Sequence, residues 1–164
     1  MNIAIYPGSF DPITLGHLDI IRRASACFDK LYVCVMVNCE KKKPMFTPQR
    51  RLELIRHSVA HLPNVEVENW SGLLADYAKE KNAHILVKGI RNCADWELEN
   101  QMARINRGIC PQLETLLIPA SGEFEHFSST MVREMIRYGQ PLEKYVPAPV
   151  AEELTRQRET LSKE

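Results

Sequence analysis

His17 is the first residue in the chain whose setting suggests chemistry. It follows Gly8-Ser9-Phe10-Asp11-Pro12-Ile13-Thr14-Leu15-Gly16, a loop of small and turn-forming residues. Before the loop comes a short apolar run, Ile3 to Tyr6, closed by Pro-Gly, which reads as a strand. After it, Leu18, Ile21, Ala24 and Phe28 recur at helical spacing. A strand, a small-residue loop and a helix start make an anion site, because the first helical turn has free N–H groups and the positive end of the dipole. His17 stands in that turn and can donate to a phosphate oxygen. A lone histidine is more often structural, and His57, His61, His84 and His126 take that reading on position alone.

Other residues able to meet phosphate follow later strands. Lys41-Lys42-Lys43 lies beyond the apolar run Leu31 to Val37. In isolation it would be a solvated surface loop, but its place beyond a buried strand favours a ligand role for at least one lysine. Lys88-Gly89-Ile90-Arg91 closes the run Ile85 to Val87, and two cations there are costly without anions. Asp95 and Glu99 stand four apart, on one face of the next helix, whereas Glu97 suits an outer face. Ser128-Ser129-Thr130 reads as a helix cap, and the same hydroxyls and N–H groups could hold phosphate. Neither G-x-G-x-x-G nor a Walker lysine motif occurs.

The elements that must carry these residues alternate. Helices are expected from Gly16, from Thr47-Pro48 to about His61, from a Ser71 cap to Ala83, from Cys93 to Arg107 with a stop at Gly108, from Ser128 to about Gly139, and from about Val150. Strands are expected at Ile3–Tyr6, Leu31–Val37, around Val65 and Val67, at Ile85–Val87 and at Thr115–Ile118. This is the pattern of a Rossmann-like, doubly wound α/β domain: a five-stranded parallel sheet with helices on both faces, one domain over residues 1–164. Ligands of such sheets bind at the carboxyl ends of the strands, where all the stretches above fall. The charged last helix is expected to dock on the body or on a neighbouring subunit.

The totals narrow the classes. Lys plus Arg and Asp plus Glu are both 21, which argues against a general nucleic-acid binder or a polybasic membrane protein. There is no apolar run long enough to span a membrane and no signal-peptide layout, so a cytoplasmic location is expected. The five cysteines include no Cys-x-x-Cys, which disfavours a disulfide framework or a zinc site; Cys27 and Cys34 are expected to be buried.

Gly8-Ser9-Phe10-Asp11-Pro12-Ile13-Thr14-Leu15-Gly16-His17 resembles the first signature of the nucleotidyltransferase superfamily, and Ser128-Ser129-Thr130-Met131-Val132-Arg133 resembles the second. Thr-Leu-Gly-His, with Thr14 where many members have a first histidine, resembles the phosphopantetheine adenylyltransferase family. So do Lys42-Lys43-Pro44-Met45-Phe46, Lys88-Gly89-Ile90-Arg91 (with lysine where the family can have arginine) and Asp95-Trp96-Glu97-Leu98-Glu99.

The resemblance implies adenylyl transfer from ATP to 4'-phosphopantetheine, giving 3'-dephospho-CoA and pyrophosphate, by direct in-line attack. It implies that Ser9, Lys42 and Lys88 hold the acceptor phosphate and that Leu73 or Leu74 lines the pantetheine groove. His17 would stabilise the transition state, with Lys42 and Arg91 as further catalytic residues. Ser9, Phe10, His17, Gly89, Ile90, Arg91, Glu99 and the stretch Phe124, Glu125, His126, Phe127, Ser128, Ser129 and Thr130 would bind ATP. Asp95 would contribute by fixing the loop that carries Arg91. Magnesium is expected on the triphosphate, a homohexamer by analogy, and CoA as a feedback inhibitor. The rival readings are the same fold acting on another acceptor such as nicotinate mononucleotide, a non-catalytic nucleotide sensor, and a scaffold built on the last helix.

Overall fold

The structure is a computed structural model that describes residues 1–37 and 44–161, with side chains through Gln157. Its elements are β1 (Ile3–Gly8), α1 (Leu15–Ser25), β2 (Lys30–Met36), α2 (Pro48–Ser58), β3 (Val65–Trp70), α3 (Leu74–Glu80), β4 (Ile85–Ile90), α4 (Cys93–Ile109), β5 (Glu114–Pro119), α5 (Ser129–Arg137) and α6 (Ala148–Leu161). A short 3-10 turn, Gly122–Phe124, precedes α5. All strand pairs are parallel, in the order β3-β2-β1-β4-β5. The order reverses between β1 and β4, which leaves a crevice above their carboxyl ends.

Alternation along the strands assigns side chains to two cores. Ala4, Tyr6, Leu31, Val33, Val35 and Val87 pack with Ile20 and Ile21 of α1, Leu52 and Ile55 of α2, Val132 of α5, and Val150 and Leu154 of α6. Ile5, Cys34 and Leu86 face the other way, against Ala75, Tyr77 and Ala78 of α3. The expected doubly wound sheet with helices on both faces is therefore present. The last helix docks on the body, with an Arg50–Glu153 ion pair joining α2 to α6.

Several local expectations are corrected. β4 continues through Ile90, because Lys88, Gly89 and Ile90 pair with Leu117, Ile118 and Pro119 of β5; Lys88 thus sits in a strand, not after one. α1 ends at Ser25, so Phe28 lies beyond the helix and Cys27 is exposed. Cys34 is buried as expected, and burial pushes its thiol up to about 12. Ser71 does not cap α3: Gly72 at φ +137 intervenes and Leu73 occupies the cap position. α4 runs past Gly108 to Ile109.

Asp19 of α1 ties the crevice to the far edge of the sheet. Its buried carboxylate accepts from Arg22 (3.1 Å), Arg23 (3.1 Å) and the Ser121 hydroxyl (2.9 Å), and Arg23 also donates to the Pro119 carbonyl (2.8 Å). Burial raises the carboxyl's pKa, but the bonds from Ser121, Arg23 and Arg22 outweigh it and hold it below the usual value. Asp19→Ala should cost about 1–3 kcal/mol in denaturant unfolding at neutral pH. A loss under about 0.5 kcal/mol, the size typical of an ordinary surface change, would mean that the link is not structural.

Candidate active site

The loop between β1 and α1 is held from behind by other elements. Arg51 of α2 donates to the Ser9 carbonyl (2.6 Å), Arg133 of α5 to the Asp11 carbonyl (2.7 Å) and the Ser129 hydroxyl to the Pro12 carbonyl (2.8 Å). The Asp11 carboxylate accepts from the backbone N–H groups of Met45 (2.8 Å) and Phe46 (2.9 Å), which anchors the chain that leads into α2. At the loop's other end the Thr14 hydroxyl donates to the Phe127 carbonyl (3.2 Å). A Cβ on Gly16 would come within 3.2 Å of that same oxygen, so glycine permits the approach. The starts of α1 and α5 are thereby clamped together, both presenting N-terminal turns.

His17 is at the third position of α1 and completes a reciprocal cap with Thr14. The Thr14 N–H donates to Nδ1 (3.1 Å) while the Thr14 hydroxyl accepts from the His17 N–H (3.3 Å). A nitrogen that accepts an N–H carries no proton, so the neutral ring keeps its proton on Nε2. Burial, then the Arg91 and Lys88 charges, lowers the imidazole pKa to about 4. His17 is therefore a neutral Nε2–H donor at physiological pH. Phe10, at φ +48, packs edge-on against both Tyr6 and the His17 ring, with centroids 5.4 and 5.1 Å apart.

The cations meet carboxylates of α4. Lys88 pairs with Glu99 at 3.1 Å. Asp95 accepts from the Arg91 backbone N–H (3.0 Å) and side-chain Nε (2.8 Å), so it fixes the turn that carries Arg91, as expected. That bond, against some burial, raises the Arg91 pKa further and secures its charge.

These parts enclose a cleft of about 370 Å³. Of the residues expected from the sequence, Ser9, Phe10, His17, Gly89, Arg91, Glu99, Phe124, Phe127, Ser128, Ser129 and Thr130 line it. Lys88, Ile90, Glu125, His126 and Leu74 are not on its wall; Lys88 reaches it through Glu99. Lys42, with Lys41, lies outside the described residues. The Ser128 side chain caps Met131 (3.0 Å), and the Thr130 hydroxyl accepts from Arg133 (3.1 Å), so with Ser129 each hydroxyl has an internal bond. Tyr6 and Ile20 line the cleft without having been singled out, their apolar settings carrying only a core signal; Ala120, also on the wall, begins the loop after the fifth strand.

Residues 5–135 match the cytidylyltransferase-like family model. The chain is 49% identical to the phosphopantetheine adenylyltransferase of Synechococcus sp. (strain JA-3-3Ab) over 152 residues, 93% of this chain and 95% of that one. It is 46% identical to that of Caldanaerobacter subterraneus subsp. tengcongensis over 154 residues, 94% of this chain and 96% of that one. The chain belongs to the phosphopantetheine adenylyltransferase family. The fold is shared more widely. A bifunctional NMN adenylyltransferase/ADP ribose pyrophosphatase from Francisella tularensis superposes with a TM-score of 0.74 at 16% identity, over 94% of this chain and 49% of that one. For a phosphopantetheine adenylyltransferase, a clamped pair of helix starts with a neutral histidine under the influence of two cations is a site built for polyphosphate.

The His17 ring should show no titration near its ordinary pKa of 6.5 in NMR spectra of the ligand-free protein, and should titrate only near pH 4. The unfolded chain gains this proton at about 6.5 and the folded chain only near 4. Between those values the unfolded state binds more protons, so His17 makes stability fall as pH drops through that window. His17→Gln should flatten that part of the stability profile. A ring titrating at 6 or above would contradict the neutral-donor assignment.

Proposed function

We propose that this chain catalyses reversible adenylyl transfer from ATP to 4'-phosphopantetheine, forming 3'-dephospho-CoA and pyrophosphate, a step of coenzyme A synthesis. The observation that carries the chemistry is His17, held neutral with its donor on Nε2 beside the clamped starts of α1 and α5. A phosphate monoester is already an anionic nucleophile, so its oxygen attacks the α-phosphorus without a general base. The bond to the β-phosphate oxygen breaks in line, and pyrophosphate leaves with the electron pair. The difficulty is repulsion between anions, which fixed donors and cations reduce.

In this reading His17 donates to the α-phosphate oxygens as charge builds, while Arg91 and the α5 start hold the β and γ phosphates. Ser9, Lys88 and Lys42 receive the acceptor phosphate, and Leu74 borders the pantetheine arm. Glu99 faces the nucleotide and sets the position of Lys88. Asp95 and Glu99, the carboxylates on the cleft wall, are engaged by Arg91 and Lys88. Magnesium would therefore be carried by the triphosphate oxygens and water, where it offsets their charge.

The same proposal includes a cytoplasmic enzyme, inhibited by CoA because CoA has both the pantetheine arm and the adenylate of the product. Among the described residues, no helix is long and apolar enough to cross a membrane. It also includes a homohexamer. Leu98, Met102, Ile105 and Ile109 leave an apolar stripe exposed on one side of α4, and Leu116 of β5 is exposed as well, which supports self-association.

Pyrophosphate release from ATP and magnesium should require 4'-phosphopantetheine and not occur with nicotinate mononucleotide. His17→Ala should lower turnover at least about 100-fold, the scale of one lost transition-state donor, and change ATP affinity far less. Release with nicotinate mononucleotide alone would change the acceptor, and ATP binding without release would make the protein a nucleotide sensor. Light scattering at micromolar concentration should give six times the chain mass; a monomer would discard the hexamer.

A further inference from the structure

Arg51 is a buried cation that the reaction as described does not use. It is 6% exposed, and among the described residues its Nε has no hydrogen-bond partner. No carboxylate among the described residues lies within ion-pair distance of it; the Asp11 carboxylate acts on it only from further away. A buried, unpaired guanidinium is expensive and calls for a compensating role. Among the described residues, the one hydrogen bond its guanidinium makes is the short one from a terminal nitrogen to the Ser9 carbonyl.

That carbonyl belongs to the peptide whose N–H is that of Phe10. The peptide is trans, since the only cis bond among the described residues is Asp11–Pro12. In a trans peptide the C=O and N–H point in opposite directions. With the oxygen turned back to Arg51, the Phe10 N–H is turned outward, on the side where Ser9, Phe10 and His17 line the cleft. Among the described residues, no acceptor is assigned to it. Phe10 itself adopts φ +48, a left-handed conformation that costs any L-residue with a side chain. Rotating the Ser9–Phe10 peptide by half a turn would bring φ to an ordinary negative value. The same rotation would put the carbonyl oxygen where an anion must sit.

We infer that Arg51 is a positioning residue for the nucleotide: from behind the loop it holds the Ser9–Phe10 peptide in its costly orientation, so that the Phe10 N–H, and not the Ser9 carbonyl, meets a phosphate of ATP. The cation also polarises the peptide, which makes the N–H a stronger donor. Arg51 touches no substrate; it acts through one peptide bond. The inference rests on the adenylyltransferase reading for the identity of the anion.

The test compares ATP with adenosine, which keeps the base and ribose but has no phosphate. In calorimetric titrations of the full-length protein, Arg51→Gln should weaken ATP binding about tenfold or more, the scale of a charge-assisted hydrogen bond. Adenosine affinity should stay within about twofold. Arg51→Lys keeps the charge and one donor and should recover part of the loss in ATP affinity and in turnover. Equal weakening of ATP and adenosine would mean a general structural role and overturn the inference, as would unchanged ATP affinity in a folded variant. If the glutamine variant does not fold, Arg51→Lys is judged by the same ratio, with a selective loss of ATP expected. Wild-type protein that binds ATP yet releases no pyrophosphate would overturn only the transferase reading, because the binding comparison still decides the role of Arg51.

Discussion

A cleft for polyphosphate cannot present backbone oxygens to its ligand, and the structure depends on how the β1–α1 loop meets that constraint. The carbonyls of Ser9, Asp11 and Pro12 are each taken by a side chain from a remote element: Arg51, Arg133 and Ser129. Two of these donors are guanidinium groups, whose bonds to oxygen are stronger than neutral ones. A loop left to itself would have its peptides free to rotate, and a rotated peptide here would repel the substrate. The sheet and helices serve largely to bring α2 and α5 close enough to prevent that.

The electrostatics follow a second rule: charge is kept available but not left bare. Lys88 and Arg91 stand at the end of β4, where unpaired cations would be costly, and α4 supplies Glu99 and Asp95 at its first turns. The two pairs are not equivalent. Asp95 also bonds the Arg91 backbone, so it acts as part of the turn. Among the described residues, Glu99 pairs only with the Lys88 ammonium, a point charge that can turn to a phosphate without losing its neighbour. His17 is the complement of this arrangement. Burial, and after it the same cations that would hold the substrate, keep its ring neutral, and the cap from Thr14 sets which nitrogen bears the proton.

The sequence was most informative where patterns are local. Buried parallel strands show as apolar runs, and the small-residue loop before His17 announces a helix start, so the doubly wound alternation and the places of His17, Arg91 and the Ser128–Thr130 cap could be read directly; Phe10, Gly89, Glu99, Phe124 and Phe127 came only from the family resemblance. Strand and helix ends were less legible because partners decide them. β4 extends over Lys88 to Ile90 only because β5 pairs with it, and Gly72 rather than Ser71 decides where α3 begins. Least legible were residues that act on distant backbone. Arg51 lies 42 residues from Ser9, and Thr14 lies 113 from Phe127. A backbone carbonyl exists at every position, so no residue type at the receiving end marks such a bond in the sequence.

This dependence on distant backbone also explains why the two signature stretches work as one unit. β1 and β4 are neighbours at the switch point, which brings His17 and Arg91 to the same crevice. The start of α5 reaches them only after β5 has been added to the edge, and the Thr14–Phe127 and Ser129–Pro12 bonds then fix it to the first loop. The donors of the cleft thus come from both ends of the folding unit, and their geometry exists only when the sheet is complete from β2 to β5. A site assembled in this way couples binding to global stability: an anion held jointly by α1, the β4–α4 turn and α5 stabilises the contacts between them, because the unfolded chain has nothing equivalent to bind it.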